Sequence, residues 1–335
     1  MDYQLKSYKK VLIIVLLVTL VGSGIYVANN HIINYFSSPS SDPTVYIGNG
    51  VSGVVTITDP FLNKTTDFNI TYSLDSGSGV IVTPDGYIIT AFHVVGDPHA
   101  LNTHNLKLMD DTTIKQYLEQ EAVKEYLSKY NPQLGGELLN NVNLNIDTNV
   151  LTGLLVQKKL INVKSYGQVI KVYLRSSAGA DSLNAQLVDV GDPTSHDDVA
   201  LLKINSNALK SVKNLPNLSI SSQNLTLGED IRIYGYPDNE MQTQSLIPSI
   251  TTGQLTAKMR NSFGTIYYLT NAPAAPGYSG GPVLNSQNNV IGIMVYGTGL
   301  IGEFNQQIES QNTLFLPSNY IIQICEKNNV SITVV

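Results

Sequence analysis

The chain has 335 residues, a formal net charge of -6 and a single cysteine. Its lysines and arginines form no basic stripe, which argues against a nucleic-acid partner. Because Cys325 is alone, the sequence excludes an internal disulfide framework and any multi-cysteine metal site, and we expect Cys325 to pack within a helix. Valine, isoleucine, threonine and tyrosine recur in short runs, so we expect mostly β structure.

The N-terminal residues predict a membrane segment. Residues 11–28 are uncharged and mostly apolar, and at 1.5 Å per residue they reach about 27 Å, close to the hydrocarbon thickness of a bilayer. Lysines precede them, so the positive-inside rule leaves residues 1–10 as a cytoplasmic tail and places the remainder outside the cell. A cleaved signal peptide, which would give a secreted protein, is the alternative to the anchor that we favour.

Residues 29–44 are typical of a linker, since they contain the Pro/Ser-rich run "SSPSSDPT". Sequons of the N-x-S/T type are compatible with an external surface and do not prove glycosylation. They begin at Asn63, Asn69, Asn217, Asn224 and Asn329.

Strand signals begin at about residue 45. They cover 53–59, 68–73, 79–83 and 87–95. The "PDG" at 84–86 predicts a hairpin between the last two, because proline presets φ and glycine tolerates a positive φ.

The pattern then becomes helical, and we predict a helical insertion at 97–165. Apolar residues recur at helical spacing within 112–130, and Asp110 and Asp111 supply suitable capping and N-terminal charge. A leucine-rich stretch to about Leu160 predicts further helix.

Strand signals resume after the insertion and end with a short helix. The predicted strands are 168–176, 185–192, 199–204, 231–237, 265–271, 282–285 and 290–297. Residues 318–328 predict the helix, capped by Ser318. Many short strands separated by turn residues indicate barrels or a sandwich.

Two motif matches are weak. "GNGVSG" at 48–53 fits a dinucleotide-binding pattern, but β-branched residues follow it where a helix would be needed, so we interpret the glycines as loop. The second match is a possible metal site, but its residues are not spaced as a rigid set of ligands. They are His99, His104, Asp110 and Asp111. We therefore predict no cofactor and no metal.

Ser279, in "GYSGG" at 277–281, is the candidate nucleophile. The same letters fit the nucleophile elbow of α/β-hydrolases, but there the triad histidine follows the serine, and the last histidine here is His196. A serine nucleophile would therefore need an upstream histidine, for which His93 at a strand end is suitable, and a carboxylate, for which Asp197 or Asp198 is suitable.

Three blocks, "SGSGVIVTPDGYIITAFHVV", "HDDVALLKI" and "APGYSGGPVLNSQNNVIGIMVYG", resemble those of trypsin-like serine peptidases of the chymotrypsin fold, most closely the HtrA (Deg) type. The resemblance implies two antiparallel β-barrels over residues 45–335, with the triad in the cleft between them. It assigns His93 as general base, Asp198 as its orienting acid and Ser279 as nucleophile. Gly277 and Ser279 would supply the oxyanion-hole N–H groups.

The resemblance also implies a binding mode for substrate. Residues 295–297, namely Val295, Tyr296 and Gly297, would pair with an extended peptide, and Pro273 and Ala274 would line the specificity pocket. That pocket carries no carboxylate, so we expect a small or aliphatic residue before the scissile bond.

Two departures from the family stand out. Tyr278 replaces the aspartate that digestive members pair with a new N-terminus, so the oxyanion loop must be ordered by other contacts. HtrA proteins usually carry a PDZ domain after the protease, and residues 280–335 of this sequence do not suggest one. Relatives of the HtrA type are often trimers, although no residue here demands a homo-oligomer.

We therefore predict a membrane-anchored serine endopeptidase that acts on polypeptides outside the cytoplasm. Two alternatives stay open. One is a catalytically silent binding or chaperone protein that keeps the protease fold, and the other is a surface adhesion protein that uses the helical insertion.

Overall fold

The computed structural model describes residues 43–59, 62–98, 106–130, 145–176, 179–205, 225–237, 248–295 and 313–335. The strands form two closed, six-stranded antiparallel barrels, which confirms the predicted mainly-β architecture. The first barrel consists of β1 (Thr44–Thr58), β2 (Thr65–Ile81), β3 (Tyr87–Thr90), β4 (Ile161–Ser176), β5 (Gly179–Val190) and β6 (Ala200–Lys203). Its spatial order is β1-β2-β3-β6-β5-β4.

The second barrel follows in sequence and has the spatial order β10-β11-β12-β9-β8-β7. Its strands are β7 (Asp230–Gly235), β8 (Ser249–Arg260), β9 (Ile266–Thr270), β10 (Pro282–Leu284), β11 (Val290–Met294) and β12 (Thr313–Pro317). Closure of a barrel leaves no unpaired sheet edge, and its inward side chains form the core. Buried Tyr268, Val283 and Phe315 belong to that core in the second barrel.

Four helices lie outside the two sheets in the described part of the chain. They are α1 (Phe92–Val95), α2 (Asp111–Tyr130), α3 (Asn145–Gln157) and α4 (Ser318–Lys327). Cys325 is buried in α4 and packs in the core, as expected, and burial raises the pKa of its thiol to about 12. The helix begins after Pro317 and has no side-chain cap hydrogen bond, so the prediction that Ser318 caps it was wrong.

The insertion forms a second hydrophobic core against the long strands of the first barrel. Helix α2 presents Ile114, Leu118 and Val123 to apolar residues of β1 and β2, including Val51 and Phe68. Leu118 is fully buried. The described part of the insertion is therefore packed on the barrel.

Helix α2 begins as the sequence predicts. The Oδ1 atom of Asp110 accepts the Thr113 N–H at 2.8 Å, and this bond together with the Lys107 ammonium lowers the pKa of the Asp110 carboxyl to about 2. This is the usual N-cap arrangement, which satisfies an otherwise unpaired amide of the first turn. Residues 161–165 of the predicted insertion lie in β4.

Several strand predictions needed correction. The predicted strand 87–95 divides into β3 and the helical turn α1, and the predicted strands 68–73 and 79–83 are parts of one strand, β2. The "PDG" hairpin is present, with Gly86 at φ 100° donating its N–H to the Thr83 carbonyl. The "GNGVSG" glycines lie inside β1, so the interpretation of them as loop was wrong, and a dinucleotide-binding turn is removed as well.

Strands β8 and β12 were not predicted. Most side chains of β8 are polar and exposed or half-buried, so the strand has little hydrophobic signal. β12 is a five-residue, fully buried run, and such a short apolar run has no periodicity to distinguish it.

The predicted membrane segment, residues 11–28, lies outside the described residues, as do most of the linker and His99 and His104. Among the residues that the structure describes, no helix is both long and apolar enough to cross a bilayer.

Candidate active site

His93 lies in α1, the single helical turn that follows β3. Phe92, Val94 and Val95 are buried and fix the turn on the first barrel, while the His93 side chain stays 12% exposed. The prediction that His93 ends a strand was wrong, because the chain leaves the sheet after Thr90. The rigid support that we expected for the ring comes from the buried neighbours on either side.

Asp198 contacts His93 through both carboxylate oxygens. Its Oδ2 lies 2.7 Å from His93 Nδ1, and its Oδ1 accepts the His93 backbone N–H at 2.9 Å. Strands β3 and β6 pair antiparallel with Thr90 opposite Ala200, so the residues just after β3 and just before β6 lie side by side. Asp198 is fully buried, so the pair is shielded from water.

The environment of His93 favours a protonated Nδ1. Burial disfavours the imidazolium, but the charge and hydrogen bond of Asp198, together with a smaller contribution from Asp75, more than offset this and raise the pKa of His93 above 6.5. A carboxylate only accepts hydrogen bonds, so neutral His93 carries its proton on Nδ1. Nε2 is then the basic nitrogen.

Asp197, the second carboxylate that the sequence offered, contacts a different group. Its Oδ1 accepts the Thr265 hydroxyl at 2.7 Å. Partial burial raises the pKa of Asp197, against the lowering effect of that hydrogen bond. The structure therefore brings Asp198, and not Asp197, to His93.

Ser279 lies in a compact turn of the second barrel and is 5% exposed. Gly277 (φ 94°) and Gly280 (φ 82°) both have left-handed backbones, which glycine adopts at little cost. The Gly280 N–H donates to the Met294 carbonyl, and the Gly281 N–H donates to the Tyr278 carbonyl. The first bond holds the turn against β11, and the second closes the turn itself.

Ser78, on β2, joins the Ser279 turn to the first barrel. Its N–H donates to the Ser279 carbonyl at 2.7 Å, and its hydroxyl donates to the Gly277 carbonyl at 2.7 Å. The same hydroxyl accepts the Tyr236 N–H at 2.9 Å. The sequence "SGSG" contained this residue, but nothing in the sequence distinguished it from an ordinary strand serine.

The Ser279 turn also packs directly beside the segment that precedes His93. A Cβ atom at Gly280 would lie 2.2 Å from Thr90 Oγ1 and 2.7 Å from the Ala91 nitrogen. A Cβ at Gly77 would lie 2.6 Å from Val94 Cγ2 and 2.8 Å from the Ser279 carbonyl oxygen. Glycine is therefore required at both positions for the two barrels to approach.

Tyr278, the departure noted in the sequence, is a core residue. It is 3% exposed and packs against Gly235 on β7, where a Cβ would lie 2.8 Å from the tyrosine ring. Its N–H donates to the Ala275 carbonyl. The loop that contains Gly277 is therefore held by Tyr278 and Ser78, without an aspartate at 278.

The predicted substrate-contacting residues are described in part. Pro273 is exposed, and Ala274 is half-buried against the core of the second barrel. The Val295 side chain is buried and its N–H donates to the Leu314 carbonyl. Tyr296 and Gly297 lie outside the described residues.

Comparisons with known proteins agree with this geometry. The family model for a trypsin-like peptidase domain matches residues 150–293, a range that contains Asp198 and Ser279. The two six-stranded barrels fit a chymotrypsin-like fold, in agreement with this match.

One curated relative is "Uncharacterized protein y4bJ" of Sinorhizobium fredii (strain NBRC 101917 / NGR234). It is 34% identical over 114 residues, which cover 33% of this chain and 16% of that protein. The aligned part of this chain thus spans about a sixth of the relative's length.

Proposed function

We propose that this protein is a serine endopeptidase that hydrolyses polypeptides through His93, Asp198 and Ser279. The observation that carries the proposal is the His93–Asp198 pair, with the Ser279 turn hydrogen-bonded to the strand beside it. A buried carboxylate, an imidazole and a serine contributed by two barrels are the components of acyl transfer.

In the first step, His93 Nε2 accepts the Ser279 hydroxyl proton as Oγ attacks the substrate carbonyl. The imidazolium that forms is stabilised by Asp198, whose two oxygens fix the orientation of the ring. His93 then gives this proton to the leaving amine, the C–N bond breaks, and an ester on Ser279 remains. Water, deprotonated by His93, hydrolyses the ester and restores the serine.

The negative charge that develops on the carbonyl oxygen needs donors in a fixed position. We assign this role to the backbone N–H groups of Gly277 and Ser279. Support comes from the Gly281 N–H, which donates to the Tyr278 carbonyl and so fixes the peptide plane that carries the Ser279 N–H. The bonds from Ser78 to the Gly277 and Ser279 carbonyls hold the same loop against the first barrel. The burial of Tyr278 gives the loop its order without a charged N-terminus.

We further propose that the substrate binds as an extended strand along residues 295–297, with a small or aliphatic residue before the scissile bond. Pro273 and Ala274 supply no charge to the pocket that would hold that residue. No cofactor is needed for this chemistry.

The proposed location is the outer face of a cell membrane, with residues 11–28 as the anchor. This rests on the apolar length of the segment and the lysines before it. The test is mass spectrometry of the mature protein from membrane and soluble fractions. An intact N-terminus in the membrane fraction supports the anchor. A soluble form cut after Gly24, where small residues follow the apolar run, supports a cleaved signal peptide.

The catalytic proposal is tested by incubating the full chain with an unfolded polypeptide and detecting new N-termini. We expect cleavage by the wild type and none by Ser279→Ala. If the wild type binds the polypeptide and Ser279→Ala binds it equally well, while neither cleaves it, the protein is a silent binding module with a protease fold.

A further inference from the structure

We propose that Asp75 is a specificity-determining residue that favours substrates with a lysine or arginine close to the scissile bond. The favoured position is a flanking one, and not the residue whose carbonyl is attacked. The inference rests on the proposed peptidase function, because it concerns the same cleft.

The strand register places Asp75 on the side of β2 that faces α1. Asp75 lies directly opposite Asn49 on β1, and directly opposed residues of an antiparallel pair share one face. The Asn49 side chain donates to the carbonyl of Gly96, the C-cap residue that follows α1. Asp75 therefore shares a face with a residue that contacts the turn carrying His93.

Gly77, two residues further along β2, independently indicates the same orientation for the Asp75 side chain. Asp75 and Gly77 lie on one face of β2, because side chains alternate along a strand. The Cβ position of Gly77 points at Val94 and at the Ser279 carbonyl. Asp75 thus lies on the face of β2 that borders both Ser279 and His93.

Two carboxylates among the described residues, Asp198 and Asp75, raise the pKa of His93, and they differ in exposure. Asp198 is fully buried and engaged by His93 through both oxygens. Asp75 is half-buried, and its Oδ1 accepts the N–H of Ser76, which orients the carboxylate.

A carboxylate at the rim of a cleft attracts cationic side chains and repels anionic ones. The uncharged segment at Pro273 and Ala274 does not compete for the cation. The uncharged segment and the Asp75 carboxylate together predict a cleft that binds a small or aliphatic residue before the scissile bond and a basic residue close to it.

The test uses the full chain and matched peptide sets that carry Arg, Gln or Glu at each position flanking a constant small residue. We expect the wild type to show a kcat/KM on the order of tenfold higher for Arg than for Gln at one flanking position. Raising the salt concentration should reduce this ratio, since the groups are partly exposed. A wild type that cleaves Arg, Gln and Glu peptides equally would overturn the inference.

The variants are Asp75→Asn and Asp75→Glu, with Asp67→Asn as the matched control. Asp67 is an exposed carboxylate on the same strand, paired with Lys164. We expect Asp75→Asn to lose the preference for Arg and to lower the apparent pKa of His93 in the pH profile. Asp75→Glu should keep the preference, and Asp67→Asn should change neither. An unaltered preference in Asp75→Asn would also overturn the inference.

Labelling of Ser279 by a fluorophosphonate separates this inference from the proposed function. If the wild type is not labelled, the peptidase assignment itself fails. If wild type and Asp75→Asn are both labelled at Ser279 and show the same charge preference, only the role of Asp75 fails.

Discussion

The backbone N–H of Ser78 donates a 2.7 Å hydrogen bond to the carbonyl of Ser279, and this bond links the two barrels at the candidate active site. The Ser78 hydroxyl adds a second link, to the Gly277 carbonyl. Because the two residues belong to different barrels, the relative position of His93 and Ser279 depends on this contact.

Replacing Ser78 with alanine should impair both stability and acylation. The change leaves the Gly277 carbonyl and the Tyr236 N–H without the partner that the hydroxyl supplies, in a fully buried position. A buried group without its hydrogen bond costs about 1–3 kcal/mol. We expect a loss of about 2 kcal/mol in urea unfolding and slower labelling of Ser279. Ser73→Ala, at an exposed site of the same strand, should be neutral, and equal behaviour of the two variants would contradict this account.

Asp198→Asn should lower kcat on the order of 10⁴-fold, because an asparagine NH₂ facing Nδ1 would stabilise the wrong tautomer of His93. Asp197→Asn is the matched control, since the adjacent carboxylate binds Thr265. We expect it to keep activity within about tenfold of wild type. Steady-state kinetics of both variants show which aspartate orients His93. A greater loss of kcat in Asp197→Asn than in Asp198→Asn would give that role to Asp197.

The pH dependence should reflect the raised pKa of His93. Only neutral His93 can accept the serine proton, so activity is present above the pKa and lost as the pH falls through it. Since Asp198 and Asp75 raise this pKa despite burial, the acidic limb of kcat/KM should have its midpoint above pH 6.5. A pH series of peptide hydrolysis measures it. A midpoint below 6.5 would show that burial prevails over the carboxylates.

Gly280 and Gly228 have similar positive φ angles but differ in how much space surrounds the position of a Cβ atom. A Cβ at Gly280 would lie 2.2 Å from both the Ser78 carbonyl oxygen and Thr90 Oγ1, whereas nothing lies within 4 Å of one at Gly228. Gly228→Ala should cost about 1–2 kcal/mol from backbone strain alone. Gly280→Ala should cost more than that and abolish labelling of Ser279. Urea unfolding measures the loss of stability in both variants. Equal losses would mean that the contact between the barrels at Gly280 can open at no cost in free energy.

The insertion should unfold together with the barrel. Leu118 of α2 is fully buried, and its Cδ1 would lie 2.7 Å from a Cβ at Gly53 on β1. Leu118→Ala should cost about 2–5 kcal/mol in a single transition. Leu154→Ala, 47% exposed on α3, is the control and should be nearly neutral. A separate early transition in the wild type would show that the insertion is an independent unit.

The sequence predicted the elements whose side chains carry strong local patterns. Helix α2 has an apolar stripe and an aspartate cap, and the hairpin at Gly86 has a turn that requires a positive φ. The order His93, Asp198, Ser279 also pointed to the family. These signals depend on neighbouring residues or on chemistry that few residue types can perform.

The contacts between the barrels could not be predicted in the same way. Ser78 acts through partners at 236, 277 and 279, and Asp75 depends on the register of β1 and β2. Both require a three-dimensional arrangement that no local pattern encodes. The helical turn at His93 was missed because β-branched and aromatic residues surround it and favour a strand.

The most direct test of the central claim is labelling of the full chain with a fluorophosphonate probe, followed by peptide mapping, with Ser279→Ala as control. We expect modification confined to Ser279, at a rate that falls as the pH drops through the pKa of His93. Absence of modification in a protein shown to be folded would mean that the triad is not assembled, and would contradict the assignment as a peptidase.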